Sequence, residues 1–382
     1  MTFAAFLGLG FALPFLPLFV QELGVLDPAD AAQWAGILIG VGPLLAGLLA
    51  PFWGGLADRH GYKRVALLAL TAIGLSQIVA SVAHTPLHVL VSRVLSGLFG
   101  GVGPLGLAMA SGSGPPGGGS SKAIGKIQAA QILAAGFGPL LGGALASALG
   151  IRAAFWGAAL SCLFAALVVG FFYHDEGRSA RGERKSDLPA GPASPGGFFA
   201  ALVFVVFFVN FASRSFTPIL PSQLHDFGVP RTALALSTGF LISVYSIAAA
   251  ASSFLFGRLA SKMDPARLLG FSLFASLLAA IAMGYMPSFT AFLGVALLYG
   301  LVSGGTLTLG YSLGSRRFDE ASRGASFGRL SGAALIGGAI APAIAAFVAR
   351  PSLRGVYWMN GLIYAALIAV AWLFLRRSRT AN

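Results

Sequence analysis

Little in this chain is charged. Of its 382 residues, 10% are Asp, Glu, Lys or Arg, against roughly a quarter in a soluble globular protein. Acids are scarcest, 12 against 25 bases. The single cysteine, Cys162, lies inside an apolar run. That excludes a disulfide framework and argues against a thiolate metal site. No phosphate loop, metal-ligand cluster or nucleophile motif occurs, so neither an enzyme nor a cofactor is expected. The N-terminal apolar run lacks the basic n-region of a secretory leader. It continues as "LPFLPLFVQELG", which reads as a membrane helix and its exit.

What is present is grease. The chain is 57% hydrophobic, with mean hydropathy +0.83. A soluble protein so composed would have too little polar surface to face water, so a polytopic membrane protein is expected. A spanning helix needs about 20 mostly apolar residues. Twelve such segments can be read, at 3–21, 35–56, 65–83, 87–111, 127–149, 153–173, 198–221, 234–257, 267–286, 289–313, 326–348 and 355–375. Backbone groups in lipid must be satisfied internally, so each segment is expected to be a helix. The expected fold class is an all-α integral membrane protein with 12 transmembrane helices.

The net charge of +13 would suit a nucleic-acid partner, but its placement follows topology. The connections after even-numbered segments, with the C-terminal tail, hold 19 of the 25 bases. The opposite connections hold Arg152, Arg231, Arg350 and Arg354, and Arg93 and Arg214 fall within apolar runs. By the positive-inside rule both termini are cytoplasmic. The excess charge then faces anionic lipid, not nucleic acid.

The chain also repeats itself at a period near 203 residues. "LPFLPLFVQELGV" (13–25) aligns with "TPILPSQLHDFGV" (217–229), and "WGGLADRHGYKR" with "FGRLASKMDPAR" (256–267). "AIGKIQAAQILAAGFGP" (123–139) aligns with "SFGRLSGAALIGGAIAP" (326–342), Pro139 opposite Pro342. A shared offset, in order, makes chance a poor explanation. Two six-helix halves, 1–173 and 198–382, are therefore expected, joined by a cytoplasmic linker, 174–197, that is charged and then rich in Pro, Gly and Ser. Two such halves are the plan of many secondary transporters.

Three motifs carry a family resemblance. "GGLADRHGYKR" (54–64) fits the pattern G-x-L-x-D-R-x-G-x-[RK]-[RK] at Gly54, Asp58, Arg59, Gly61, Lys63 and Arg64. "SRVLSGLFGG" places Arg93 inside the fourth segment, and "GFGPLLGG" places Gly136, Gly138, Pro139, Gly142 and Gly143 in the fifth. With these the chain resembles the major facilitator superfamily, and within it the drug:proton antiporter group. The resemblance implies a gate or hinge at 54–64, with Asp58 meeting the positive end of the eleventh helix. It implies proton relay or gating by Arg93, and an antiporter motif at 136–143.

The residues themselves leave room. Gly54 and Gly55 suit close helix approach, and Gly61 suits a turn with positive φ. The segment also serves as a positive-inside turn without gating. An intramembrane arginine costs about 3 kcal/mol by insertion scales, so Arg93 should face a cavity or a partner, or snorkel outward. Pro139 kinks its helix, and glycines four apart permit tight packing with or without an antiport role. Cavity candidates are Gln128 and Gln131, which share a helix face, with Asn210, Arg214, Tyr245 and Tyr299. Arg214 could instead pair with Glu22 or Asp226.

The chain departs from the pattern in places. None of the twelve acids lies at a midplane. Glu22 and Asp226, at the ends of the first and seventh helices, are the nearest coupling candidates. The second copy of the 54–64 motif has Ser261 where the first has Asp58. The connection "SGSGPPGGGSSK" (111–122) should be mobile. By the repeat, the first helix lacks about six N-terminal residues, as a misassigned start, a truncation or a shortened protein would give. The expected function is proton-coupled efflux of small lipophilic compounds by alternating access, in an inner-membrane protein that acts as a monomer among lipids. An exporter of sugars or other polar metabolites, and a non-transporting sensor or scaffold, are the alternatives.

Overall fold

The structure, a computed structural model, describes residues 2–100, 119–173, 196–315 and 323–375. Twelve helical segments follow in order among them. They are α1 (Phe3–Glu22), α2 (Pro28–His60), α3 (Tyr62–Ser81), α4 (Pro86–Leu98), α5 (Gly119–Leu149) and α6 (Ile151–Phe172), then α7 (Gly197–Asp226), α8 (Arg231–Lys262), α9 (Pro265–Met283), α10 (Phe289–Gly314), α11 (Arg323–Val348) and α12 (Arg354–Val370). Ten carry a stretch long and apolar enough to span a bilayer, and Pro86–Leu98 and Leu133–Leu149 are shorter apolar helices.

The ends differ from hydropathy expectations for local reasons. α2 begins at Pro28, not near residue 35, because Asp27 caps it. The Asp27 carboxylate accepts from the backbone N–H of Ala29 at 2.8 Å and of Asp30 at 2.9 Å, and proline fits the first turn. α2 then runs to His60, past its apolar stretch. The α4 helix Pro86–Leu98 covers the first part of the expected 87–111, and residues 101–118 lie outside the described residues. Most of the connection 111–122 lies there too, while Gly119–Lys122 form the first turn of α5. Residues 174–195 of the linker are likewise outside the described set.

The sequence repeat has a structural counterpart. Pro14 sits in a 3-10 turn at Leu13–Phe15 that interrupts α1, and Pro218 in one at Thr217–Ile219 that interrupts α7. Proline removes a backbone donor, which weakens the α-helical ladder at each point, and here the helix tightens to 3-10. Gly24 and Gly228, just after these helices, both take positive φ, 100° and 81°. α1 lies along α5, and α7 along α11; α3 lies along α6, and α9 along α12.

By packing, the chain divides into one unit of Met1–Arg184 with Leu220–Ser243, and a second of Lys185–Ile219 with Val244–Asn382. The last stretch of α7 and the first of α8 therefore belong to the first unit. In that unit Phe19 and Phe155 meet with ring centroids 4.9 Å apart. Buried Ala35, Leu38, Ala80 and Ala154 belong to the same core.

Candidate functional site

The turn at 54–64 is built on one residue. Gly61, at φ 89° and ψ 142°, closes α2 and opens α3. A side chain is strained at that φ, which is why glycine stands there. Arg59 and Arg64 are exposed. The Asp58 side chain and the surroundings of Gly54 fall outside the described set. Among the described residues, a Cβ added at Gly55 would meet nothing within 4 Å. The anchoring residue is its neighbour Trp53, 3% exposed. Its indole N–H donates to the carbonyl of Leu98, the last residue of α4, at 2.8 Å. The bond satisfies a helix-end acceptor inside the bundle.

Arg93 does not snorkel. It is 3% exposed, and its Nη2 donates to Gln77 Oε1 on α3. Its guanidinium lies 6.0 Å from the ring centroid of Phe155 on α6. Among the described residues, Arg93 Nε and Gln77 Nε2 are both buried with no hydrogen-bond partner. Gln77 was one polar residue among several in the sequence, yet the pairing follows from hairpin register. α3 and α4 are joined by a short turn near Thr85, and residues 77 and 93 stand equally far from it. Ser92 and Ser76 obey nearly the same register, the Ser92 hydroxyl donating to the Ser76 carbonyl at 2.6 Å.

The glycines of 136–143 form the tightest seam of the first unit. All of Gly136, Gly138, Pro139, Gly142 and Gly143 are buried. A Cβ on Gly138 would lie 3.1 Å from Gly10 Cα on α1, and one on Gly142 would strike the Phe11 backbone. The other side of α5 faces α8. A Cβ on Gly143 would lie 2.7 Å from the carbonyl oxygen of Ala235, and one on Gly239 would strike the Pro139 carbonyl. α5 is thus wedged between α1 and the first stretch of α8, and backbone meets backbone on both sides. Ser147 reinforces the second contact, its hydroxyl donating to the Thr232 carbonyl at 3.2 Å.

Among the other candidates, Glu22 and Asp226 are exposed at the ends of α1 and α7. Gln131 is half-buried, and the Gln128 side chain is outside the described set. Asn210 is half-buried and donates to the Val206 carbonyl one turn back, at 3.1 Å. Arg214 is exposed on α7, and a Cβ on Gly338 of α11 would lie 3.4 Å from its Cγ. Tyr299 is 1% exposed inside the second unit. Its hydroxyl is 2.7 Å from that of Tyr364, and its ring stacks on Tyr245 with centroids 5.7 Å apart. Tyr245 itself is half-buried.

Two features escaped the sequence reading. Arg152, counted only as a connection charge, sends Nη1 to the Ser81 carbonyl at 2.6 Å and Nη2 to the Ala83 carbonyl at 2.7 Å. It also lies 5.5 Å over the Phe19 ring. A fork of fixed donors thus closes the C-terminus of α3, where free carbonyls and negative dipole accumulate. α10 changes at Gly304, between α-helices Phe289–Ser303 and Gly305–Ser315. The Ser253 hydroxyl donates to the Gly304 carbonyl at 2.7 Å, and the Gly305 N–H to Ser252 at 3.0 Å. Paired serines on α8 were the available signal.

A family model described as Major Facilitator Superfamily matches residues 1–202 and again 202–382. The chain is 29% identical over 382 residues to the multidrug resistance protein MdtG of Proteus mirabilis (strain HI4320), covering 98% of this chain and 94% of that protein. It is 31% identical over 293 residues to a protein of the same name from Yersinia enterocolitica, covering 75% of this chain and 69% of the other. Among solved structures it matches a bacterial homolog of the human lysosomal transporter Spinster, with TM-score 0.78 at 18% identity over 98% and 96% of the two chains. A D-xylose-proton symporter gives TM-score 0.78 at 15% identity over 98% and 96%. At those identities the structural likeness speaks to fold alone.

Proposed function

Because the chain belongs to the major facilitator superfamily, we propose that it exports small lipophilic compounds, driven by inward proton flow through alternating access. It is a transporter, not an enzyme. The observation that carries the efflux reading is the α5 segment 136–143. A glycine–proline helix buried between two neighbours suits an antiporter, which must exchange cargo for protons without an open leak. Full-length similarity to multidrug resistance proteins supports lipophilic cargo.

In this reading the segment Gly54–Arg64 is the gate hinge. Gly61 supplies the pivot, Asp58 the conformational contact, and Arg59, Lys63 and Arg64 the cytoplasmic anchor. Arg93 is the buried member of the proton path. Its charge has a neutral partner in Gln77, so the field it casts is not cancelled locally. Glu22 and Asp226, exposed at helix ends, are the coupling candidates. Gln128, Gln131, Asn210, Arg214 and Tyr245 are the substrate-facing candidates, with the buried Tyr299 ring packed behind Tyr245. The moving bodies are the repeat halves 1–173 and 198–382, linked by 174–197. The protein works as a monomer in the inner membrane, with both termini cytoplasmic.

Reconstitution in liposomes under an imposed pH gradient tests this. Adding a lipophilic cation should move protons down the gradient, read by an internal pH dye. Proton movement with sugars and none with lipophilic cations would overturn the proposal.

A further inference from the structure

The second unit carries an open groove of about 470 Å³ between α7 and α12. Phe204 and Phe208 form one wall, and Trp358, Leu362, Ile363 and Ala366 the other. Phe204, Trp358 and Leu362 are exposed, the last at 70%. Between its α12 ends, Gly355 and Ala366, the groove covers about 16 Å of helix at 1.5 Å per residue. That is close to half of a hydrocarbon core about 30 Å thick, the depth of one leaflet. The groove is therefore dimensioned for one acyl chain entering from one side.

Its rim is chemically distinct from its floor. Arg354 is the first residue of the apolar stretch Arg354–Leu373, and Tyr285 lies two residues beyond the end of Pro265–Met283. Both therefore stand where the bilayer meets water. The Arg354 guanidinium lies 5.3 Å over the Tyr285 ring. The Trp358 indole N–H donates to the Tyr285 hydroxyl at 3.1 Å, and Trp358 itself lines the groove. A fixed cation is thus tied through two interfacial aromatics to the mouth of an apolar channel. Aromatic rings of this type seek the headgroup level, and a guanidinium pairs with phosphate through parallel N–H bonds.

We propose that this groove is a binding site for one anionic phospholipid, its phosphate on Arg354 and one acyl chain between α7 and α12. The commitment to an anionic lipid follows from the charge at the rim, because the floor alone would take any chain. No role in moving cargo is implied.

Native mass spectrometry of the full chain in detergent tests this, with phosphatidylglycerol and phosphatidylethanolamine added in equal amounts. The wild type should retain one phosphatidylglycerol in preference. Arg354→Gln should lower that preference by about fivefold, the weight of one arginine near an anionic surface. Arg354→Lys should restore much of it. Ala366→Phe, placed at the deep end and checked for monodispersity, should weaken retention of both lipids by blocking the chain. Equal retention of the two lipids, or a preference unmoved by Arg354→Gln, would overturn the proposal. So would full displacement of the lipid by inorganic phosphate, which would reduce the site to an anion contact.

Discussion

Gly142→Ala places one methyl group at the seam between α1 and α5. The new Cβ would lie 2.7 Å from the Cα and carbonyl carbon of Phe11, where ordinary contact begins at 3.4 Å. The helices must part by the difference, 0.7 Å or more. Neither side has a flexible end to move, since the obstacle is backbone. Overpacking of this kind costs about 1–3 kcal/mol. α5 cannot shift freely the other way, because Gly143 and Pro139 are held by Ala235 and Gly239. At roughly 2–4 °C per kcal/mol, the midpoint of thermal unfolding in detergent should fall by several degrees. Gly55→Ala is the internal comparison. With nothing within 4 Å among the described residues, it gains helix propensity and should stabilise by up to about 1 kcal/mol. Purified variants scanned by intrinsic fluorescence report both shifts. In liposomes, Gly142→Ala should also raise passive proton leak. An unchanged midpoint for Gly142→Ala, or an equal loss for Gly55→Ala, would refute the packing argument.

Three further outcomes are expected. Gln77→Leu strips Arg93 of its acceptor inside the bundle and should destabilise by about 1.5–3 kcal/mol; Gln77→Glu keeps an acceptor and should unfold well above the leucine variant in the same scan. Arg152→Gln opens the α3 terminus and should cost a similar amount, about 1.5–3 kcal/mol, with Arg152→Lys recovering only part because an ammonium cannot hold two carbonyls in a planar fork. For the Tyr299–Tyr364 pair, a double-mutant cycle of Tyr299→Phe and Tyr364→Phe should give a coupling of about 0.6–1.7 kcal/mol, the range of interhelical hydrogen bonds in membranes; strict additivity would show that the two hydroxyls do not support each other.

Much of the architecture was legible before any coordinates. Hydropathy alone located the twelve segments, because in lipid a helix is the only open-ended way to satisfy a backbone. The repeat placed Pro14 opposite Pro218 and Gly24 opposite Gly228, and the structure interrupts or turns the chain at all four. Gly61 was readable as a positive-φ pivot, because that property belongs to one residue and needs no neighbour. Spacing could also bring Gly138 and Gly142 to one face of α5.

Tertiary structure decided what those faces meet. Nothing local says that Gly142 abuts Phe11 while Gly143 abuts Ala235, or that Trp53 reaches Leu98 across 45 residues. Arg152 looked like one connection charge among four, and only the fold brings two free carbonyls within reach of its fork. Arg93 is the sharpest case. The sequence established that a charge lies within a membrane span, with a cost that demanded compensation. Packing alone chose Gln77 over a carboxylate or the headgroups. Hydrophobicity and backbone conformation are written into each residue and its near neighbours, whereas partners across helices depend on the rotation and depth of every helix in the bundle.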